Sequence, residues 1–254
     1  MSKKIDRTGE KSYNKFGSLM VIYNYTSNSN IDVYFPDYNW IKYKIDYNSF
    51  KKGSIKCPYE PRVYGKGYMG EGVYKSSEGG KHTKIYLTWK NMLNRCYSDQ
   101  VQLYNPSYED CFVVDEWLNF QNFAQWYVEN YYEVYNENMS LDKDILFKGN
   151  RIYSPETCIF VPQKINNLLV KSDKLRGDLP IGVCNYKNNK FKSYCSDGYG
   201  NCVCLGIFET VLEAFQSYKK YKETIIKSIA DEYKNMIPCE LYNSLQNYQV
   251  EIND

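Results

Sequence analysis

The residues best able to do chemistry in this 254-residue chain lie between Leu141 and Cys158, in the run LDKDILFKGNRIYSPETC. Asp142, Lys143 and Asp144 stand side by side, a Gly149-Asn150 turn follows, and Ser154-Pro155-Glu156 marks the expected start of a short helix. Carboxylates on one limb of a hairpin and polar groups on the other are the parts of a small metal-dependent phosphodiesterase, because a hard divalent cation takes oxygen ligands from both limbs. The same residues also suit a solvated loop closed by a Gly-Asn turn. Spacing alone leaves both readings open.

The elements that must position this run can be read on either side of it. Residues 1 to about 16 are polar and are expected to fray. Residues 19–25, 31–35 and 40–45 are β-branched and aromatic runs separated by turn residues, which predicts a three-stranded antiparallel sheet. A basic turn with Lys51 and Lys52 follows, and then Gly65, Gly67, Gly70 and Gly72 interleaved with aromatics. No Gly-Lys-Ser/Thr closes that stretch, so it is read as a linker and not as a phosphate loop. Thr83 opens a helix with Tyr86, Trp89, Met92, Leu93 and Cys96 at helical spacing. A strand at 112–114 and a helix at 116–126 come next; the run itself leads into a strand at 159–161 and a helix at 163–170. A second linker at 175–180 precedes a meander over 181–186, 190–195 and 202–208. Thr210 and Glu213 have the spacing of a capping box for the helix after it, which reaches about Met236, and the tail holds another short helical piece.

The fold class is therefore α+β. Its expected parts are an N-terminal β module at 1–62, a Gly-rich linker at 63–82, a central helix-rich domain at 83–173, and a three-stranded sheet packed on a helix at 174–254. With 43% hydrophobic residues the chain can bury real cores. Its net charge of +2 excludes a uniformly basic coat, but the charge is uneven. Residues 1–95 hold 17 Lys/Arg against 8 Asp/Glu, whereas residues 96–160 hold 3 against 11. A basic front and an acidic middle suit a protein that grips phosphate in one region and a cation in another; they equally suit attraction between two domains.

The nine cysteines are scattered, with no CxxC pair and no apolar leader before them. That gives no zinc signature and points to a reducing cytoplasm. The apolar runs are far shorter than the ~20 residues of a membrane span.

Two stretches carry a resemblance. Ile181-Gly182-Val183, Lys190-Phe191-Lys192, and Leu205-Gly206-x-Phe208-x-Thr210-x-x-Glu213-Ala214 with a later Tyr218 resemble the Apetala/ethylene-response-factor (ERF) type DNA-binding domain. That resemblance implies a three-stranded sheet that enters the major groove, with Lys187, Lys190, Lys192 and Tyr194 in place of the arginines and tryptophans of plant members. Lysine favours phosphate contact over bidentate reading of guanine. The middle is similar to phage HNH (His-Me finger) homing endonucleases. The matching residues are Trp89-x-x-Met92-Leu93-x-Arg95-Cys96-Tyr97, Val114-x-Glu116-Trp117-x-x-Phe120-x-x-Phe123-x-x-Trp126, Leu141-Asp142-Lys143-Asp144, Gly149-Asn150 and Tyr153-Ser154-Pro155-Glu156-x-Cys158.

The second resemblance implies a ββα finger that hydrolyses DNA phosphodiester bonds with Mg²⁺. Asp142, Asp144, Asn150 and Glu156 would be its metal ligands. Asp142 and Asp144 would share the roles of ligand and base, and Lys143 would offset the charge of the transition state. Lys51 and Lys52 would help hold the backbone of double-stranded DNA in a bacterial host's cytoplasm. The chain departs from the family at the general base, since its one histidine, His82, lies far from the run. The alternatives are a non-cutting DNA-binding regulator and a phage protein that engages a host defence protein through its acidic middle.

Overall fold

The computed structural model describes residues 5–170 and 178–254, so the expected linker residues Leu175, Arg176 and Gly177 lie outside the described part. The chain forms two compact units: residues 1–129 with 152–154, and residues 130–151 with 155–254. The class is α+β, and no helix among the described residues is long and apolar enough to cross a membrane.

The first unit opens with a four-stranded antiparallel sheet in the order β1 (Lys11–Tyr13), β2 (Leu19–Ser27), β3 (Asn30–Phe35) and β4 (Trp40–Ile45). The expectation of three strands and a frayed start is corrected here. Lys11–Tyr13 is too short and polar to announce itself, but it pairs with Leu19–Val21 and is pinned by Asn14, whose amide donates to the Ile55 carbonyl over 3.1 Å. Alternate residues Met20, Ile22, Ile31, Val33 and Phe35 point inward against Phe50 of helix α1 (Tyr47–Lys51), as the two-residue period of a strand requires.

Helix α2 (Lys84–Tyr97) begins at Thr83, whose hydroxyl accepts from the Tyr86 amide, and buries Trp89, Met92, Leu93 and Cys96. Immediately before it lies the short hairpin β5 (Ser77–Glu78) and β6 (Lys81–His82); α3 (Asp99–Tyr104) follows it. The single helix expected over 116–126 is instead two, α4 (Asp115–Leu118) and α5 (Phe120–Asn130). The break has a cause in the glycine-rich stretch. The Tyr68 amide donates to the Leu118 carbonyl, and the Phe120 amide donates to the Tyr68 carbonyl, so the stretch takes over hydrogen bonds the helix would have made. A side chain at Gly67 would collide with Trp89 and Leu93, and one at Gly70 with Asn119. Glycine is needed here for close packing of backbone on helices. β7 (Phe112–Val113) pairs in parallel with β9 (Ile152–Tyr153) in the same unit.

The second unit has two cores joined by one long helix. β8 (Met139–Asp142) pairs antiparallel with β10 (Ile159–Pro162), and α6 (Gln163–Leu169) follows at once, which is a ββα order. Farther on, β11 (Val183–Tyr186), β12 (Lys190–Ser196) and β13 (Cys202–Phe208) form an antiparallel meander. Helix α7 (Val211–Tyr233) starts with a complete Thr210–Glu213 capping box. Its first half buries Ala214, Phe215 and Tyr218 against the sheet; its second half buries Ile226, Ile229, Ala230 and Tyr233 beside Val161, Ile165 and Leu168. At roughly 1.5–3 kcal/mol for each large apolar side chain fully buried, either half alone is a substantial anchor. Helix α8 (Cys239–Gln246) closes the second core with Leu241 and Leu245.

Candidate nucleic-acid interface

The loop leaving β8 brings Asp142, Lys143, Asp144 and Asn150 together. One carboxylate oxygen of Asp142 accepts from the Asp144 and Ile145 amides at 2.9 and 2.8 Å, which turns the chain sharply at the strand's end. Lys143 is only 8% exposed. Its ammonium donates to the Asn150 backbone carbonyl at 2.9 Å and lies 3.5 Å from the Asp144 carboxylate, while the Asn150 side-chain amide donates back to the Lys143 carbonyl at 2.6 Å. The expected Gly149-Asn150 turn is present, with the Asn150 amide bonded to the Phe147 carbonyl and Gly149 at a φ of 81°. No helix starts at Ser154-Pro155-Glu156. Residues 155–157 make a turn between β9 and β10, because β10 begins only two residues later.

Burial raises the Asp142 carboxyl from its usual 3.8 to about 6, and the neighbouring Asp144 charge adds to the shift. The Tyr248 hydroxyl is likewise pushed up by burial, with Asp254, Asp144 and Asp142 contributing, so it stands close to the same charges. Lys148, farther along the loop, donates to the Gln249 carbonyl at 2.8 Å and pairs with Asp254 at 2.7 Å. Among the described residues no group of three or more His, Cys, Asp or Glu is arranged to hold a metal ion, so Asp142, Asp144 and Glu156 do not form one ligand cluster. The ammonium of Lys143 already stands beside the carboxylate a cation would approach, and one Asp142 oxygen is engaged by two amides. A cation at this loop would have to displace Lys143 from Asp144. What these residues do together is hold a turn shut with paired charges.

His82 ends β6 and is exposed; its Nδ1 lies 3.2 Å from the Ser76 carbonyl and its ring rests near Tyr86. Lys51 ends α1 with its ammonium over the Tyr47 ring, and Lys52 is the exposed residue after it; both belong to the first unit.

Lys187, Lys190, Lys192 and Tyr194 share one hairpin of the second unit. Asn188 and Asn189 both take left-handed backbone in the three-residue connection Lys187-Asn188-Asn189 between the paired Tyr186 and Lys190, and Lys187 is exposed at its start. Along β12, Ser193 and Cys195 face α7, so Lys190, Lys192, Tyr194 and Ser196 face away from it. Register then fixes their neighbours. Tyr186 lies opposite Lys190; Cys184 and Ile207 flank Lys192; Cys204 lies opposite Tyr194, and Cys202 opposite Ser196. Lys190 also pairs with Glu209 at 2.6 Å. Tyr186, Tyr194 and Ile207 are 42%, 39% and 49% exposed, a concentration of large apolar surface on one sheet face.

Tyr186 and Ile207 are not among the residues the sequence singles out. Tyr186 lies across from Lys190 with three residues between them, whereas a two-residue Asn-Asn turn would set Lys187 there. Ile207 does not follow from alternation alone, because a bulge adds Leu205 between the residues paired with Ser193 and Tyr194. Gly206, at a φ of 140° and against the Phe208 ring, supplies the backbone for it.

No protein-family model, no curated protein and no solved structure matches this chain.

Proposed function

We propose that this protein binds double-stranded DNA through the outer face of the β11–β13 sheet. The observation that carries the reading is that Lys192 and Tyr194, with Tyr186 beside them, project from the sheet face opposite α7, while Lys187 is exposed in the adjoining turn. Cations for phosphate and flat rings for sugar or base, carried on a twisted antiparallel ribbon, suit the major groove. In this reading the loop of Asp142, Lys143 and Asp144 stabilises the adjoining ββα element.

The second reading is hydrolysis of the bound DNA. It is favoured by the β8–β10–α6 order and by the raised pKa of Asp142, which brings a carboxylate nearer to the range of a general base at neutral pH. One experiment separates the two: supercoiled plasmid in low salt with Mg²⁺, Mn²⁺ or EDTA, beside a gel shift on the same DNA. Binding without nicking is expected, with Lys192→Ala weakening binding about fivefold and reducing the slope of log affinity against log salt by about 1. Metal-dependent nicking lost in Asp144→Ala would establish the nuclease. Neither signal would favour a protein partner met through the acidic middle.

A further inference from the structure

We infer that the sheet face, if it is a DNA interface as proposed above, selects A·T-rich duplexes by contact with thymine methyl groups. Its outward positions divide into two kinds. β11 and β12 carry the cations and the tyrosines. β13 presents Cys202, Cys204 and Ile207, a row with almost no hydrogen-bonding power.

Two-pronged reading of guanine or adenine in the major groove is best made by the planar groups of Arg, Asn or Gln, while lysine can also meet guanine but as a point charge favours phosphate. The outward positions of these three strands hold none, and the one outward carboxylate beside them, Glu209, is paired with Lys190. Lys187 and Lys192 are left to meet phosphates, which orients the ribbon without choosing a sequence. Choice therefore falls to β13. Ile207 and the two thiols set against base edges would leave the polar groups of either base pair without partners, a penalty common to both, whereas the C5 methyl of thymine alone finds apolar contact there and tips the balance to A·T. Exposed apolar residues on a cationic face, which otherwise invite association, acquire a use in this way.

The test is fluorescence anisotropy at one salt concentration with three duplexes of equal length: an A·T-rich one, the same sequence with deoxyuridine replacing every thymidine, and a G·C-rich one. The protein is expected to bind the A·T-rich duplex about tenfold more tightly than the G·C-rich one, and the uracil duplex to lose most of that gain, since only the methyl differs. Ile207→Ala, at an exposed position, should bind the thymine and uracil duplexes equally while keeping its affinity for the uracil form. Cys204→Ser is the second variant should Ile207→Ala fold poorly. Equal binding of thymine and uracil duplexes by the unaltered protein, or preference for G·C, would overturn the inference while leaving DNA binding intact. Binding to none of the three at low salt would overturn both.

Discussion

The loop after β8 and the outer face of β12 carry similar charged residues to opposite ends. In the loop, Lys143 is buried, bonded to a carbonyl and paired with a carboxylate, so its charge is used within the fold. On the sheet, Lys192 stands between Cys184 and Ile207, neighbours that offer its charge no counterpart. A charged motif is therefore a candidate contact only when the fold does not consume it, and the more conspicuous motif in this sequence is the one consumed.

That contrast breaks most sharply under substitution of the two lysines. Lys143→Ala should lower stability by about 2–3 kcal/mol, less than the loss of a fully buried ion pair because Asp144 is half-exposed. Lys192→Ala should change stability by no more than about 0.5 kcal/mol. Urea unfolding of both variants measures the difference, and similar midpoints would erase it.

The pH dependence of the loop gives a second, smaller test. The folded Asp142 carboxyl titrates near 6 and the unfolded one near 3.8, so between those values the folded chain holds a proton the unfolded chain lacks. Stability is then gained on acidification from pH 6 to 4 and lost as pH rises through 6. Asp142→Asn keeps an oxygen for the two amides and removes the titration. It should flatten that slope and raise stability at pH 7 by on the order of 2 kcal/mol, with Lys143, Asp144 and Tyr248 unchanged around it. An unaltered slope would place the linkage elsewhere.

The smallest expected effect belongs to the sheet's own scaffold. Thr210→Ala removes one half of the capping box and should lower stability by about 1 kcal/mol in thermal unfolding, with affinity for DNA unchanged when measured well below the transition.

Local rules made the capping box, the Asn-Asn hairpin and the three C-terminal strands legible in the sequence. The residues that carried the ERF-type resemblance are largely residues that pack. A side chain at Gly182 would strike Tyr218, Gly206 lies against Phe208, and Ala214 is fully buried. Such a motif reports a scaffold, and the contact face must be found by register. What could not be read locally depended on distant partners. Lys143 is buried because Asn150 closes over it, the helix breaks at Asn119 because Tyr68 takes the hydrogen bonds of Leu118 and Phe120 on either side, and Lys11–Tyr13 becomes a strand because β2 is there to pair with it.

The sharing of α7 between two cores bears on how this unit comes apart. A fragment cut at residue 174, where the sequence suggests a boundary, would keep the sheet and α8 but strip Val161, Ile165 and Leu168 from the cover of Ile226, Ile229, Ala230 and Tyr233 on the helix's second half. Such a fragment would expose part of an apolar stripe and tend to aggregate, and in the whole chain the β8–β10–α6 element and the sheet should melt together as one cooperative block.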